Sequence, residues 1–496
     1  MEVASTKTRV HFEGEQAHRR AFLQAAAVAT GGALIAGGAA RAQEHPGGGH
    51  QSSAEEPHGG VGAAPPKEAF EGLLVTPGAM AATLERKNIE FLPDAELANL
   101  RQAFGLLGSG ASPGAIYQSW VGLHAQNCQH NNSVIWPWHR AYLYYFEQRL
   151  QRALPAADPP VTLPYWPYDT IGTEPTTREH RKLPAPFRPR NVDGQPNPLY
   201  YDRPAGQNTG DYILSFNGTR TSGIIDHSND FFQFGVNLEN GPHNYVHNNP
   251  PGAIMNNRLY SPTDPIFWLH HANLDRAWFR WTQIAGHHNP REHESPAIDN
   301  WLNYPLPGFY QFPKRLVSEF LEPSALGYTY VMQAISIVAS AKDAAQAKPR
   351  EVDFSAAILP EAARAAAAGA GGPAIRPVLI RFRDVSLPRS SVLEVRVFLN
   401  HPGATAETSP DDPRCAGIFT LYPPHGEHGP APDQISIDLD ATEAVRSLLG
   451  REQGRTKFPL TTVVVPSKQA AAEAEAEPLR YKSAQVIILD AGEPDR

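Results

Sequence analysis

The sequence predicts a mainly α-helical catalytic domain, a bundle built around a histidine-rich site, followed by an all-β sandwich. Three observations carry that prediction. From about residue 70 to 332 apolar residues recur at helical spacing between long loops. Within that stretch histidines gather in two clusters, His124, His130 and His139, then His243, His247, His270 and His271, at positions expected to face a bundle core. Beyond residue 374, short β-branched runs alternate with Pro/Gly turns, the pattern of a sandwich.

The helices follow from their boundaries. Residues 93–107 open on Pro93 and place Leu97, Leu100 and Phe104 on one face. Ser112 is the expected N-cap of the next helix, with Pro113 at its first position. A third helix carries His139, Tyr142, Leu143, Phe146 and Leu150 on one side, and a fourth is expected to start at Asp264 as cap and Pro265 as first residue. Residues 333–373 turn to Ala, Gly and Pro and read as a linker. Six strand-like runs then fill 374–496, from "PVLIRFRDV" to "AQVIILD".

The ends of the chain speak to compartment. Arg19 and Arg20 followed by Ala21-Phe22-Leu23, an Ala/Gly-rich apolar stretch from Ala25 to Gly38, and Ala40-Arg41-Ala42 read as a twin-arginine export signal over 1–42. The expected location is therefore periplasmic or secreted. The apolar stretch is too short and Gly-rich for a membrane helix, so no membrane anchor is expected after signal removal. Residues 43–69, Gly/Pro/His-rich with His45, His50 and His58, read as a low-complexity linker. The 496 residues are 41% apolar, enough for more than one domain. With 43 Lys and Arg against 51 Asp and Glu, net charge −8, the chain is no nucleic-acid binder. Two cysteines, Cys128 and Cys415, cannot build a disulfide framework.

The histidine spacing points to metal. His243 and His247, four apart, fall on one helix face. Asn244 stands where a zinc protease needs Glu, which lowers the zinc-hydrolase reading. His270 and His271 point about 100° apart on a helix, so one of them completes the ligand set and the other supports it from outside. His130 and His139 suit a loop ligand followed by a helix ligand, with His124 as third near the end of the preceding helix. Imidazole favours borderline metals, and divalent copper heads the affinity order. Three imidazoles per ion leave two copper ions open to O2 as co-substrate.

These motifs resemble the type-3 copper family of tyrosinases, catechol oxidases and molluscan haemocyanins. The stretch from His130 to "PWHR" at Arg140 matches the first-copper motif, and His243-Asn244-x-x-His247 with "DPIFWLHHANLDR" matches the second. The resemblance implies His124, His130, His139, His243, His247 and His271 as ligands, His270 outside the set, and Phe267 packed on the ligand rings, with Asp275 also beside the site. It implies a thioether between Cys128 and His130. It implies that Glu239 and Asn244 hold a water that takes a phenol proton. The position of the family's gate side chain falls on Arg258, a departure that predicts a cationic entrance favouring carboxylate-bearing phenols. Tyr328-Thr329-Tyr330 resembles the marker that closes the catalytic domain against an N-terminal Arg, here Arg86. The C-terminal domain, with "CAGIFTLYPPHG", resembles one that covers the site, and Pro423–Gly429 is the loop expected to reach it. A copper chaperone stays open as a partner. The implied activity is a melanin-type tyrosinase reaction: ortho-hydroxylation of small phenols and oxidation of o-diphenols to o-quinones. The alternatives are a catechol or o-aminophenol oxidase and, from another class, a haemocyanin-like oxygen carrier.

Overall fold

A computed structural model describes residues 83–169, 178–204, 206–211, 213–228, 230–249, 253–284, 286–309, 315–330, 339–343, 351–359, 374–424, 434–452, 454–466 and 478–491. The expected leader, the 43–69 linker, most of 333–373 and residues 425–429 of the expected covering loop lie outside them.

The helical part is built on two helices buried on nearly every face, Ile135–Ala153 and Ile266–Thr282. Helices buried all round belong at the centre of a bundle. They meet through Phe146 stacked on Trp268 at 3.5 Å, with Trp120 and Tyr142 packed around that pair. Asp94–Leu107 lies outside them, starting after Pro93 and buried through Leu100, Phe104 and Leu107. Its end is fixed by Gly108, whose φ of 79° suits glycine.

Two helix starts are displaced from the expected positions. The Ala115–Asn127 helix begins after Gly114, not Ser112, because the Gly114 amide still donates to the Gly108 carbonyl at 2.7 Å and closes a turn there. The fourth helix begins at Ile266 with Pro265 as its flanking residue. Asp264 caps from one position further out, its carboxylate accepting from the Ile266 amide at 3.0 Å. That carboxylate also accepts two bonds from Arg203.

The helical domain is closed as the marker predicts. Leu84–Arg86 pairs in parallel with Tyr328–Tyr330. Fully buried Arg86 donates to Glu147 at 3.0 Å, Asp275 at 3.2 Å and Tyr330 at 3.2 Å, and lies 3.7 Å over the Tyr328 ring. Asp275 also accepts from Arg140 at 2.5 Å and from both tyrosine hydroxyls at 2.7 Å. This corrects its expected place: no bond from Asp275 to an imidazole occurs among the described residues. Its oxygens are taken by two guanidinium groups, an arrangement in which loss of one partner costs about 3–5 kcal/mol.

The C-terminal part holds two four-stranded antiparallel sheets. One runs Gln434–Asp440, Val378–Ser386, Ser483–Ala491, Ala339–Asp343, and the other Glu351–Asp353, Lys457–Pro466, Leu393–Leu399, Cys415–Leu421. Phe382 meets Phe419 at 5.3 Å between them. All six expected strands are present, but the part is not all-β. The helix Thr442–Arg451 packs Val445 and Leu448 inward. The stretch read as linker also supplies two edge strands, Ala339–Asp343 and Glu351–Asp353, whose pairing comes from neighbours rather than intrinsic propensity.

Candidate metal centre

Each histidine of the first cluster is placed by a different local device. His124 sits in the last turn of the Ala115–Asn127 helix, and Cys128 ends it. His130 lies in the following loop, where Asn131 adopts φ 53° and turns the chain inward. His139 is in the second turn of the Ile135–Ala153 helix. The ring centres lie 6.1 Å (His124–His130), 5.6 Å (His124–His139) and 5.2 Å (His130–His139) apart. Donor atoms of His124, Cys128 and His130 fall within 4.8 Å of one another.

The second cluster depends on a break in the helical ladder. Phe231–Leu238 runs into a π-turn, Glu239–His243, with Gly241 at φ −86°, ψ −116° and Pro242 inside it. Proline has no N–H to continue the α pattern, and such wide turns recur at functional sites. The turn puts Glu239 and His243 on the same interior, and Asn244–Asn248 then carries His247, its ring 4.7 Å from that of His243. The preceding helix approaches closely through Gly235, where a Cβ would meet Trp136 Nε1 at 2.9 Å. His247 Nε2 faces His271 Nε2 at 3.2 Å. Phe267 packs on His271 at 4.2 Å and His124 at 5.1 Å, as expected. His270 instead lies with its ring tilted 21° to that of His243 at 5.7 Å, its Nδ1 bonded to Tyr168 Oη at 2.8 Å.

The clusters share one chamber. His139 stacks on His271 at 4.4 Å and 10°, and His130 lies 5.3 Å from His243. Burial drives every one of these imidazoles toward its neutral form: His139 falls to about 3, His247 to about 4, and His124, His130, His243, His270 and His271 also fall. Buried Nε2 atoms of His124, His130, His139, His243 and His270 have no hydrogen-bond partner among the described residues. Neutral nitrogens buried without partners cost stability unless something binds them. The donor set therefore fits two borderline metal ions.

Around the imidazoles lie the other expected residues. Glu239 is buried, accepts from the Asn131 amide at 2.7 Å, and stands 3.6 Å from His130 Nδ1. Burial raises its carboxyl to about 7. Asn244 is not paired with it. The Asn244 amide accepts from His243 Nδ1 at 2.9 Å and donates to the Thr420 carbonyl at 2.8 Å, on the C-terminal part. Cys128 is a free, buried thiol, pushed up to about 12 by burial. Arg258 faces the site, and its charge lowers the proton affinity of His130. It is buried rather than exposed at an entrance, with Tyr422 4.5 Å over its guanidinium. The C-terminal residues that meet the site are thus Thr420 and Tyr422, just before the expected loop at Pro423–Gly429. Sequence reasoning singled out their segment but neither residue. It also missed Asn131 and Tyr168, which no spacing rule marks.

The family model for the common central domain of tyrosinase matches residues 114–185 and 170–284. A tyrosinase of Hahella sp. (strain CCB-MM4) is 31% identical over 201 residues, 36% of this chain and 41% of that protein. Haemocyanin units G and H of Sepia officinalis are 26% identical over 249 residues, 46% of this chain and 42% of theirs. The matches thus span about two fifths of the length of these curated relatives. Among solved structures, a recombinantly expressed latent aurone synthase (polyphenol oxidase) superposes with a TM-score of 0.54 at 18% identity, covering 82% of this chain and 90% of that one. At that identity the likeness concerns the fold.

Proposed function

We propose that the chain is a tyrosinase of the type-3 copper family, to whose common central domain residues 114–185 and 170–284 are matched, oxidising small phenols with O2 at two copper ions. The observation that carries this reading is the chamber of neutral imidazoles with unpartnered Nε2 atoms. His124, His130 and His139 would hold one ion; His243, His247 and His271 the other. Bound copper supplies the redox couple and the place where O2 is activated. The protein holds the imidazoles in place and keeps water out.

Glu239 supplies the proton acceptor. It is the buried carboxylate beside His130, and a carboxyl near 7 is matched to taking a proton at neutral pH. A phenol that gives up its proton there is hydroxylated ortho to its oxygen, and the o-diphenol is oxidised to an o-quinone. Arg258 gives the chamber a positive charge, which favours phenols with a carboxylate. Replacing it with Gln is expected to raise KM for carboxylate phenols and leave neutral phenols near the parent value. An equal change for both would remove Arg258 from substrate choice.

Asn244 favours a second reading. Its amide is engaged with His243 and Thr420 instead of Glu239, which suits oxidation of o-diphenols alone. Rates with tyrosine, simple phenols, DOPA and o-aminophenols separate the two. Hydroxylation of a monophenol supports the first; diphenol oxidation alone supports the second. Reversible O2 uptake with no quinone, even without the C-terminal part, would point to an oxygen carrier. Zinc at one site and no copper would sink the copper reading.

Three further assignments go with this function. Cys128 next to His130 supports a thioether, visible as loss of two hydrogens from the joined peptides. Tyr422 over Arg258 supports a resting state in which the C-terminal part shields the site. The twin arginines support export of the folded, metal-loaded chain, which a Lys-Lys replacement of Arg19 and Arg20 should stop. No helix of the described residues is long and apolar enough to cross a membrane.

A further inference from the structure

We propose that Glu394, in the C-terminal part, is a positioning residue for the helix that carries His247. For its bearing on copper the proposal rests on the dicopper reading above. The helix Asn244–Asn248 has five residues and follows the π-turn. A helix that short does not hold its shape alone. It is gripped at both ends from one place in the C-terminal sheet. At its first residue, the Asn244 amide donates to the Thr420 carbonyl at 2.8 Å. At its far end, Asn249 Nδ2 donates to Glu394 Oε2 at 2.7 Å, and Asn248 Nδ2 reaches the same oxygen at 3.4 Å. Glu394 and Thr420 are register partners on the paired strands Leu393–Leu399 and Cys415–Leu421. A five-residue helix is about 7.5 Å long, and neighbouring strands lie about 4.8 Å apart. A carbonyl on one strand and a Glu side chain on the other therefore reach both ends.

The Glu394 carboxylate is 2% exposed, and its two oxygens have separate partners. Oε1 accepts from Arg396 Nε at 2.8 Å. Arg396 is itself fixed by the Ala406 carbonyl at 3.1 Å and the Thr408 carbonyl at 2.8 Å. That pair sets the direction of the carboxylate and leaves Oε2 facing the helical part. A buried carboxylate is costly unless its remaining lone pairs are met. Here they are met from the helical part, by a residue 145 positions away along the chain. Asn249 passes the contact on. The same Nδ2 donates to the Tyr245 carbonyl at 3.2 Å, which also accepts from the Asn249 backbone amide at 3.0 Å. An amide nitrogen has two hydrogens and serves both oxygens. The helical turn closed in this way contains His247.

Two variants break the contact from opposite sides. Glu394→Gln keeps the size, but its oxygen is drawn to the Arg396 charge, so its NH2 faces Asn249, donor against donor. Asn249→Ala leaves Glu394 and Arg396 paired. The first test is hydrogen exchange, read by mass spectrometry, on copper-free full-length protein. In either variant the amides of 244–249 are expected to exchange about 10–100-fold faster, the range for losing a hydrogen bond to a charged group. The Ile135–Ala153 helix should keep its rate. Combining the two changes should add little. Unchanged exchange at 244–249, or losses that simply multiply in the double variant, overturns the proposal. Faster exchange that extends to Phe216–Thr219 would mean that the C-terminal part merely undocks, and overturns it too. The second test is competition for copper against a chelator. Either variant should hold one ion about 10–100-fold more weakly, as for partners that orient a metal site, and the other ion as the parent does. Equal weakening of both ions, or none, removes the positioning role. A parent that takes up no copper would defeat the dicopper reading, while hydrogen exchange still judges the grip of Glu394 on the helix.

Discussion

At the scale of single residues, the two neighbouring histidines are placed differently. His271 points its Nε2 at His247, and His270 is tied to Tyr168. His271→Ala is expected to lose one copper per chain and all oxidase activity. His270→Ala should keep both ions and bind them about 10–100-fold more weakly. Metal analysis after dialysis reads the difference, and equal copper loss in both would contradict the assignment. Glu239 gives a separate prediction with a definite sign. Its carboxyl is raised from 4.5 to about 7, so the folded chain holds a proton that the unfolded chain releases. The buried acid therefore costs nothing below about pH 4.5, and its cost grows as pH rises toward 7 and stays above it. Glu239→Gln should leave stability near the parent at pH 4.5 and raise it at pH 8 by up to about 3 kcal/mol. The same change removes the proton acceptor and should slow monophenol hydroxylation about 10²–10⁴-fold, with diphenol oxidation much less affected. Equal losses in both reactions would take Glu239 out of the proton step.

At the scale of elements, the strand Cys415–Leu421 brings the C-terminal part against the histidine chamber. Its Thr420 carbonyl holds Asn244, and Tyr422 beyond its end stacks on Arg258. A desolvated cation–π contact contributes about 2 kcal/mol. Losing it shifts an open–closed equilibrium by up to about 30-fold. Tyr422→Ala should raise the activity of the full chain by several-fold to that limit, and unchanged kinetics would mean that the cover does not control access. The elements also show where the sequence was informative. The histidine helices were legible because a 3.6-residue period over more than ten residues is a strong signal, and the six C-terminal strands because β-branched runs with Pro/Gly ends are too. The π-turn at Glu239–His243 was not, since nothing in "ENGPH" separates a wide turn from a helix end. The edge strands Ala339–Asp343 and Glu351–Asp353 were illegible because partner strands, not their own composition, make them strands. Thr442–Arg451 did carry a helical period, Ala444, Val445, Leu448 and Leu449, hidden among strands. In the site, the two histidine clusters were legible by spacing. Tyr168 and Tyr422 were not, because they arrive from far along the chain.

At the scale of the whole molecule, burying seven imidazoles neutral makes the metal-free protein sensitive to acid. Their folded proton affinities are lowered below the ordinary 6.5, to about 3 for His139 and about 4 for His247. The stability they allow is complete above about pH 6.5. It is lost as pH falls toward 4, where the unfolded chain takes up protons that the folded one does not, at about 1.4 kcal/mol per group per pH unit. Glu239, Asp169 and Asp226, raised to about 7, 6 and 6, act in the opposite sense. Seven groups outweigh three, so the melting temperature of copper-free protein should fall steeply between pH 6.5 and 5. A flat profile there would mean that the chamber hydrates and the imidazoles charge.

The joint between the two parts makes the last prediction. It carries hydrogen bonds at its margin, Asn249 to Glu394 at 2.7 Å, Asn217 to the Pro410 carbonyl at 2.8 Å, Gln233 to the Ser436 carbonyl at 3.0 Å, and Arg220 paired with Asp440 at 2.5 Å, beside an apolar core shared by both parts. The position of the cut then decides the outcome. A chain ending near Ala365 keeps Ala339–Asp343 and Glu351–Asp353 but loses Ser483–Ala491 and Lys457–Pro466, the strands they pair with. Unpaired strand edges template aggregation. A chain ending just after Tyr330 keeps the closing strand beside Arg86 and leaves no orphaned edge from the sheets. The shorter chain should be soluble and more active than the full one, since Thr420 and Tyr422 are gone, and the Ala365 chain should aggregate. Light scattering and phenol turnover on the two side by side check this. A soluble shorter chain no more active than the parent would mean that the C-terminal part does not shield the site.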